Sequence, residues 1–291
     1  MTKAYIYVFI SALLFGTMEV SCKIGGTDLD SFQLTFLRFF VGGLFLLPFV
    51  VIQNKNKKIK LTITDFKKLA AVGILNVVIS MSMFQYSVMT CNVSTVSVLI
   101  CVNPFFTIVF AHFLTDEKIT KEIIITLFIA LTGILFMLRL WDVQNGNSLI
   151  GMLIMICSAL TFGLYTVLCK ELQKEIDPIA QNSISFLMGS LGLLIVILLT
   201  GRPVVAGVAD NIPIVLYTGV MVTGLGYYCY FKAIELSDAS TGSFAFFLKP
   251  AIAPVIAVIV LHEVIVWNTV VGIALILTAS LLKYLGDRKK F

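Results

Sequence analysis

Three charged residues lie inside long apolar stretches of this 291-residue chain, and they are Glu19, Arg38 and Lys249. A charged side chain at the centre of a bilayer costs about 2.5–3.5 kcal/mol on insertion scales, so such residues normally face protein or water. A buried ammonium can bind a carboxylate, and a buried carboxylate can bind a cation or carry a proton. These three residues are therefore the first candidates for a functional site.

Each of the three charges has more than one interpretation. Lys249 lies about ten residues into its apolar stretch, directly before Pro250, which removes a backbone donor. Its ammonium either binds a substrate carboxylate or titrates in a cavity, or it forms a buried ion pair with Glu19. Glu19 either faces the same cavity or lies near the outer interface, one helical turn before Lys23. Arg38 is interpreted as a structural brace or as a side chain that snorkels outward, rather than as a substrate contact.

Neutral polar side chains form a second set of candidates for substrate binding. They are Asn76, Ser80, Asn103, Tyr165, Tyr227 and Tyr230. Asn76 and Ser80 are four residues apart, and Tyr227 and Tyr230 are three apart, which places each pair on one face of a helix. The alternative for each is ordinary packing, or anchoring at the membrane interface, where tyrosine is common.

The composition excludes a water-soluble protein. Hydrophobic residues make up 59% of the chain and charged residues 13%, against about 45–50% and about 25% in soluble domains. Too few polar side chains are present to cover a surface that faces water, which excludes a nucleic-acid-binding module, a disordered chain and a disulfide-stapled secreted domain. The six cysteines show no CxxC or Cys/His spacing, so free thiols are expected and neither a metal nor a cofactor.

The polar candidates must be positioned by membrane-spanning helices. A span needs about 20 mainly apolar residues, and long continuous runs indicate helices rather than the alternating strands of a barrel. The ten predicted spans, numbered helix 1 to helix 10, are residues 4–22, 32–52, 67–88, 92–114, 121–140, 148–169, 179–200, 211–231, 239–261 and 265–285. The first run lacks a small-residue cleavage site and is expected to remain as a span. Most of the 21 Lys and Arg residues fall on the side that holds both termini, which predicts cytoplasmic termini in a plasma-membrane protein.

The two halves of the chain repeat each other. Residues 11–23 read SALLFGTMEVSCK and residues 158–170 read SALTFGLYTVLCK, while NVSTVS at 92–97 matches DASTGS at 238–243. The same register pairs Pro104 with Pro250, Glu117 with Glu263, Ser11 with Ser158 and Gly16 with Gly163. The paired serines and glycines are expected to allow close approach of helices.

Two five-helix halves are therefore predicted, residues 1–145 and 146–291. Because five is odd, the second half enters the membrane in the opposite orientation, an arrangement that secondary transporters use for alternating access. The register places Glu19 opposite Thr166, Arg38 opposite Ser185 and Lys249 opposite Asn103. Positions that break the symmetry of a repeated scaffold are where a specialised function is expected.

Several of these motifs resemble the ten-helix EamA branch of the drug/metabolite transporter superfamily, over the whole chain. They are the SAxxFG stretch that opens each half, FLRF around Arg38, YFKAIELSDAS at 230–240, Pro104 and Pro250, and the terminal Glu117 and Glu263. The resemblance implies an all-α polytopic membrane protein with ten transmembrane helices as two inverted five-helix repeats. It also implies a central cavity formed mainly by helices 1, 3, 4, 6, 8 and 9, and transport of an amino acid, nucleobase, quaternary amine, sugar or drug. Lys249 departs from the family pattern.

The prediction is thus a secondary transporter of a small polar metabolite and not an enzyme. A cavity that pairs one carboxylate with one ammonium favours an amino acid or a related zwitterion or amine. The expected partners are this small-molecule substrate and the lipid bilayer, with a proton or substrate gradient as driving force, no nucleic acid, and a monomer or homodimer. A flippase for a lipid-linked carrier and a non-transporting membrane receptor are the alternatives. Arg38, Pro104 and Pro250 are assigned to structure or coupling, and Glu117 and Glu263 to capping of the helix that follows each.

Overall fold

The computed structural model describes residues 2–57, 61–115, 117–138, 147–262 and 267–288, and every regular element in these ranges is a helix. Eight helices are long and apolar enough to span a membrane, namely Lys3–Gly25, Ser31–Ile52, Ile63–Thr90, Val93–Leu114, Leu149–Leu172, Pro178–Leu199, Ala209–Glu235 and Ala239–Leu261. Two more, helix 5 at Lys121–Leu138 and helix 10 at Trp267–Arg288, pack against each other. The predicted all-α membrane fold is confirmed, and the helices keep their numbers in chain order. We call the end of the bundle at which helix 1 begins the N-terminal face.

Helix 3 begins earlier than predicted. It starts at Ile63, directly after Thr62, rather than at residue 67. Thr62 and Asp65 form a capping box, in which the Thr62 hydroxyl accepts a hydrogen bond from the Asp65 N–H and the Asp65 carboxylate accepts one from the Thr62 N–H at 2.8 Å. Such a box satisfies the first amide groups of a helix. Because polar and charged residues interrupt the apolar residues here, an assignment based on continuous apolar runs places the start one turn too late.

Packing between helices follows the inverted repeat. Helix 1 packs on helices 8 and 9, and its counterpart, helix 6, packs on helices 3 and 4. Helix 2 contacts helices 7 and 8, while helix 7 contacts helices 2 and 3, and the pairs 4–9 and 5–10 join counterparts directly. Each half therefore packs extensively against the other half. The predicted boundary between residues 145 and 146 lies outside the described residues.

Two glycines at matching positions of the repeat lie at close helix contacts. A Cβ atom on Gly16 would lie 2.5 Å from Ile252 of helix 9, and a Cβ atom on Gly163 would lie 3.0 Å from Phe106 of helix 4. These separations leave little room for a larger residue. The expectation that the paired glycines allow close helix approach is confirmed.

Helix 7 offers a test of such close packing. A Cβ atom on Gly189 would overlap the carbonyl oxygen of Gly73 in helix 3, whereas a Cβ atom on Gly192 would make an ordinary contact with Val78 at 3.4 Å. We expect Gly189→Ala to lower the free energy of unfolding by about 1–3 kcal/mol through overpacking. Gly192→Ala should leave it unchanged or raise it by up to about 1 kcal/mol through helix propensity. Thermal unfolding of the two purified variants in detergent makes the comparison, and equal stabilities would contradict the packing.

Five helices depart from regular α geometry within the described residues. Helix 1 is interrupted at Thr17, helix 9 at Phe244, and helix 4 by a 3₁₀ turn at Ile100–Val102. Helix 3 is π-helical over Ile74–Ser80 and helix 8 over Tyr217–Gly226, at matching positions of the repeat. Irregular backbone at membrane depth is tolerated where protein buries it or it lines a cavity, and π-helical segments are frequent at functional sites. These five belong to the six helices that the family resemblance assigns to a central cavity.

Candidate functional site

Helices 1, 2 and 9 bring the three predicted charges together inside the bundle. The side chains of Glu19, Arg38 and Lys249 are all fully buried. Glu19 Oε1 lies 2.5 Å from Lys249 Nζ. The Lys249 ammonium and the Arg38 guanidinium each lie 5.8 Å from the centre of the same ring, that of Phe84. We call Glu19, Arg38 and Lys249 the charge cluster.

Glu19 and Lys249 form the buried ion pair that is one of the two interpretations of Lys249. Burial removes both groups from water, and only close pairing offsets that loss of hydration. An ion pair is also a form in which a binding site can rest between substrates, because the charged groups of a substrate can replace either partner. The structure therefore brings both residues into one site, and their role in binding stays a prediction.

The charge cluster has an excess of positive charge. Two cations, Arg38 and Lys249, share one carboxylate, that of Glu19. Among the described residues no other Asp or Glu side chain is buried. Because a buried charge without a counter-ion is costly, the site favours an additional anionic group.

Arg38 points into the bundle. Its Nη1 donates to the Met18 sulfur at 3.4 Å, and its guanidinium carbon lies 4.6 Å from the centre of the Phe39 ring. Nε and Nη2 are buried and have no hydrogen-bond partner in the part of the chain that the structure describes. Of the two roles predicted for Arg38, outward snorkelling is wrong, because the position of a residue along a helix does not reveal the direction in which its side chain points. Structural bracing by Arg38 stays a prediction.

Aromatic rings lie against the charge cluster and pack on one another. We call Phe15, Phe84, Phe162, Tyr227, Tyr230 and Phe246 the aromatic cage. The Lys249 ammonium lies 5.3 Å from the Phe246 ring centre and 5.9 Å from that of Phe15, within the range of cation–π attraction. Phe15 also meets Tyr227 edge to face, with ring centres 5.1 Å apart, and Tyr230 at 5.9 Å. The predicted pair Tyr227 and Tyr230 therefore packs on a ring that lies beside the Lys249 ammonium.

The polar groups of the cage are engaged in further contacts. The Tyr230 hydroxyl lies 3.0 Å from that of Thr166, the residue that matches Glu19 in the repeat. The Tyr227 hydroxyl donates to the Met81 sulfur at 3.4 Å and lies near the Asn76 side chain, in the π-helical segment of helix 3. Tyr165 is fully buried and packs against a ring of the cage. These four predicted residues, Asn76, Tyr165, Tyr227 and Tyr230, thus adjoin the charge cluster or its cage.

Two predicted binding residues instead brace helix 6. Asn103 Nδ2 donates to the Ala159 carbonyl at 3.0 Å. Ser80 Oγ donates to the Ser158 carbonyl at 3.0 Å, and Ser158 Oγ donates to the Ser80 carbonyl at 2.8 Å. These hydrogen bonds hold helices 3 and 4 to helix 6. Asn103 and Ser80 therefore have a structural role in joining these helices. Their contacts with a substrate stay predictions.

The two prolines lie at matching places in helices 4 and 9. Pro104 follows the 3₁₀ turn and stands in the first turn of the segment Asn103–Leu114, where a missing N–H leaves no intrahelical bond unmade. Pro250 lies within the segment Ala245–Leu261, directly after Lys249. Their assignment to coupling stays a prediction.

Two lysines bind backbone carbonyls at opposite ends of the bundle, and we call them the lysine caps. Lys23, near the end of helix 1, donates to the Val88 carbonyl near the end of helix 3 at 2.9 Å. Lys170, near the end of helix 6, donates to the Ile234 carbonyl near the end of helix 8 at 2.7 Å. Each ammonium also bonds the carbonyl three residues further on. Counting basic residues for topology misses this role, although the CK pair that ends both repeated stretches was an available signal.

Glu117 caps a helix of the other half. Its carboxylate accepts hydrogen bonds from the Ala239 N–H at 2.8 Å and from the N–H and hydroxyl of Ser240 at 3.2 and 2.6 Å, at the start of helix 9. The prediction that it caps the helix that follows it is wrong. The carboxylate instead satisfies the positive end of helix 9, a neighbour that spacing along the chain does not show. Glu263 lies outside the described residues.

Comparison with known proteins gives this geometry a family context. The model of the EamA-like transporter family matches residues 2–139 and 149–285. An uncharacterized transporter of Clostridium kluyveri is 38% identical over 99% of this chain and 95% of that protein. The S-adenosylmethionine uptake transporter of Rickettsia prowazekii is 24% identical over 97% of this chain and 92% of its own length. A solved protein crystal structure that is 15% identical shares the fold, with a TM-score of 0.77 and 99% of both chains covered. The chain therefore belongs to the EamA-like transporter family of the drug/metabolite transporter superfamily and is a multi-pass membrane transporter.

Proposed function

We propose that the chain is a secondary transporter that carries an amino acid, or a related zwitterion or amine, across the plasma membrane by alternating access. The observation that carries the proposal is the charge cluster, in which one carboxylate and two cations are fully buried inside an aromatic cage. Helices 1 and 2 of the first half and helix 9 of the second half supply these charges. A small molecule with both an anionic and a cationic group complements them.

Both ends of a zwitterion find a partner in this site. A substrate carboxylate pairs with a cation of the cluster, and a substrate ammonium pairs with Glu19. The aromatic cage adds cation–π attraction for an ammonium or a sulfonium. S-Adenosylmethionine, which the Rickettsia relatives are named for taking up, is an amino acid with a sulfonium centre. It is therefore the first substrate to test, together with the common amino acids.

The inverted repeat supplies the movement that transport needs. Because the charges are fully buried, helices must separate at one end of the bundle before a substrate can enter. Two halves of opposite orientation can exchange conformations, which opens the same site to each side in turn. We place the N-terminal face in the cytoplasm, since most Lys and Arg residues lie there. A proton or substrate gradient drives the cycle, in a monomer or a homodimer.

Uptake into proteoliposomes tests the proposal. Purified protein is reconstituted, and uptake of radiolabelled S-adenosylmethionine and of each common L-amino acid is followed with and without an imposed proton gradient. We expect saturable uptake of at least one compound, above that of protein-free liposomes and reduced by excess unlabelled compound. No saturable uptake of any of them, by protein shown to be folded, would refute this substrate class. Movement of a labelled lipid between leaflets of the same vesicles would favour a flippase instead.

A further inference from the structure

We infer that Arg38 is the specificity-determining residue of this site: it binds the substrate carboxylate through the Nε and Nη2 edge of its guanidinium and so selects acids over their uncharged analogues. The inference rests on the proposed function and names the group by which the substrate is recognised.

Of the three guanidinium nitrogens of Arg38, only one has a hydrogen-bond partner among the described residues. Nη1 faces the sulfur of Met18 at 3.4 Å, and the Phe39 ring centre lies 4.6 Å from the guanidinium carbon. Nε and Nη2 are buried, yet neither has a hydrogen-bond partner within the described ranges. These two atoms lie side by side on one edge of the planar group, an arrangement that matches the two oxygens of a carboxylate in a bidentate pair.

The neighbouring charges leave Arg38 as the cation without a close counter-ion. Glu19 Oε1 lies 2.5 Å from Lys249 Nζ, so the carboxylate compensates the lysine. In the described chain no second buried carboxylate compensates Arg38. A buried charged group without a partner is especially costly. A substrate carboxylate supplies both the missing hydrogen bonds and the missing charge.

The second half of the repeat has no equivalent of this group. The position that matches Arg38 is Ser185, which is fully buried and donates to the Asn182 carbonyl at 3.3 Å. Only the first half carries a guanidinium at this position. A dipolar substrate therefore binds in a single orientation, although the bundle is nearly symmetric. One carboxylate site per chain follows.

Binding of matched acids and amides tests the inference. The probes are S-adenosylmethionine with its decarboxylated form, and each common L-amino acid with its amide, so that each pair differs in the carboxylate. Binding to the purified full-length protein in detergent is measured by thermal shift and by titration calorimetry. We expect at least one acid to bind, with a stoichiometry of about one, and its partner without the carboxylate to bind about tenfold or more weakly, since a bidentate charge-assisted pair is lost.

Substitutions then assign this preference to one residue. Arg38→Gln should remove the preference for the acid, and Arg38→Lys should reduce it several-fold, because an ammonium cannot make the bidentate pair. Arg202→Gln is the matched control. Arg202 also lies 4.6 Å from a ring centre, that of Phe32, but it is partly exposed and pairs with Asp30 at 2.7 Å. The control should keep the preference.

A variant that is merely less stable binds acid and amide more weakly by the same factor. A change in the ratio of acid to amide binding therefore reports loss of carboxylate recognition. Equal binding of acids and amides by the wild-type protein, an unchanged preference in both Arg38 variants, or no binding of any acid would each overturn the inference. If acids bind selectively and nothing is transported, the inference stands and the proposed function fails. If acids and amides are transported equally well, the function stands and the inference fails.

Discussion

Glu19→Gln is expected to lower the free energy of unfolding by about 3–5 kcal/mol, the usual effect of removing one partner from a buried ion pair. The substitution preserves the shape of the side chain but leaves Arg38 and Lys249 as two buried cations without a carboxylate between them. Saturable transport should fall to background as well, because the cation of the substrate loses its partner. Thermal unfolding in detergent and uptake into proteoliposomes measure the two effects.

The charge count of the cluster predicts unequal effects at the two ends of the ion pair. Lys249→Gln leaves one cation, Arg38, with one anion, Glu19, so it should lower stability less than Glu19→Gln does. The double variant restores the wild-type excess of a single positive charge and should be more stable than Glu19→Gln alone, a departure from additivity expected for coupled neighbours. Lys68→Gln is the control, since Lys68 forms an exposed pair with Glu175 at 3.1 Å that is worth at most about 1 kcal/mol. Equal losses from the two single variants of the cluster would contradict this electrostatic coupling.

The number and order of the helices could be predicted because a membrane permits few alternatives. Backbone groups in lipid must be satisfied within the segment, so a continuous apolar run becomes a helix. Errors occur where polar residues take part in a helix, as at the capping box of Thr62 and Asp65. The interruptions at Thr17 and Phe244 also escape prediction, because neither position holds the proline or glycine that usually marks a break in a helix.

The members of the candidate site were more predictable than their contacts. Glu19 and Lys249 stand out because charge is rare in an apolar run, and the structure brings them together. The inward direction of Arg38 and the capping of helix 9 by Glu117 depend on neighbours from other helices. Spacing also cannot separate a residue of the cage from one such as Asn103, which bonds the backbone of helix 6. Tertiary contacts between helices decide these cases.

The lysine caps are expected to control access to the charge cluster in opposite senses. Lys170 holds helix 6 to the end of helix 8 at the N-terminal face, and Lys23 holds helix 1 to the end of helix 3 at the opposite face. Hydrogen bonds to a charged group contribute about 1.5–3 kcal/mol, and about 1.4 kcal/mol is a factor of ten in a population. Each lysine cap forms its hydrogen bonds when its own face of the bundle is closed. Removing one cap should therefore raise the fraction of molecules that are open at that face about tenfold or more.

Cys101 provides a reporter for this opening. Its thiol is fully buried and donates to the Phe246 carbonyl of the aromatic cage at 2.9 Å. With the other cysteines replaced by alanine, its reaction with a membrane-impermeant thiol reagent applied from one side measures exposure to that side. Lys170→Met should accelerate labelling of Cys101 from the N-terminal face about tenfold. Lys23→Met should accelerate labelling from the opposite face by a similar factor. The control Lys68→Met should change neither rate. Because the inverted repeat relates the two lysine caps, the two variants should accelerate labelling from opposite sides of the membrane. Acceleration from the same side in both variants would exclude this mode of gating.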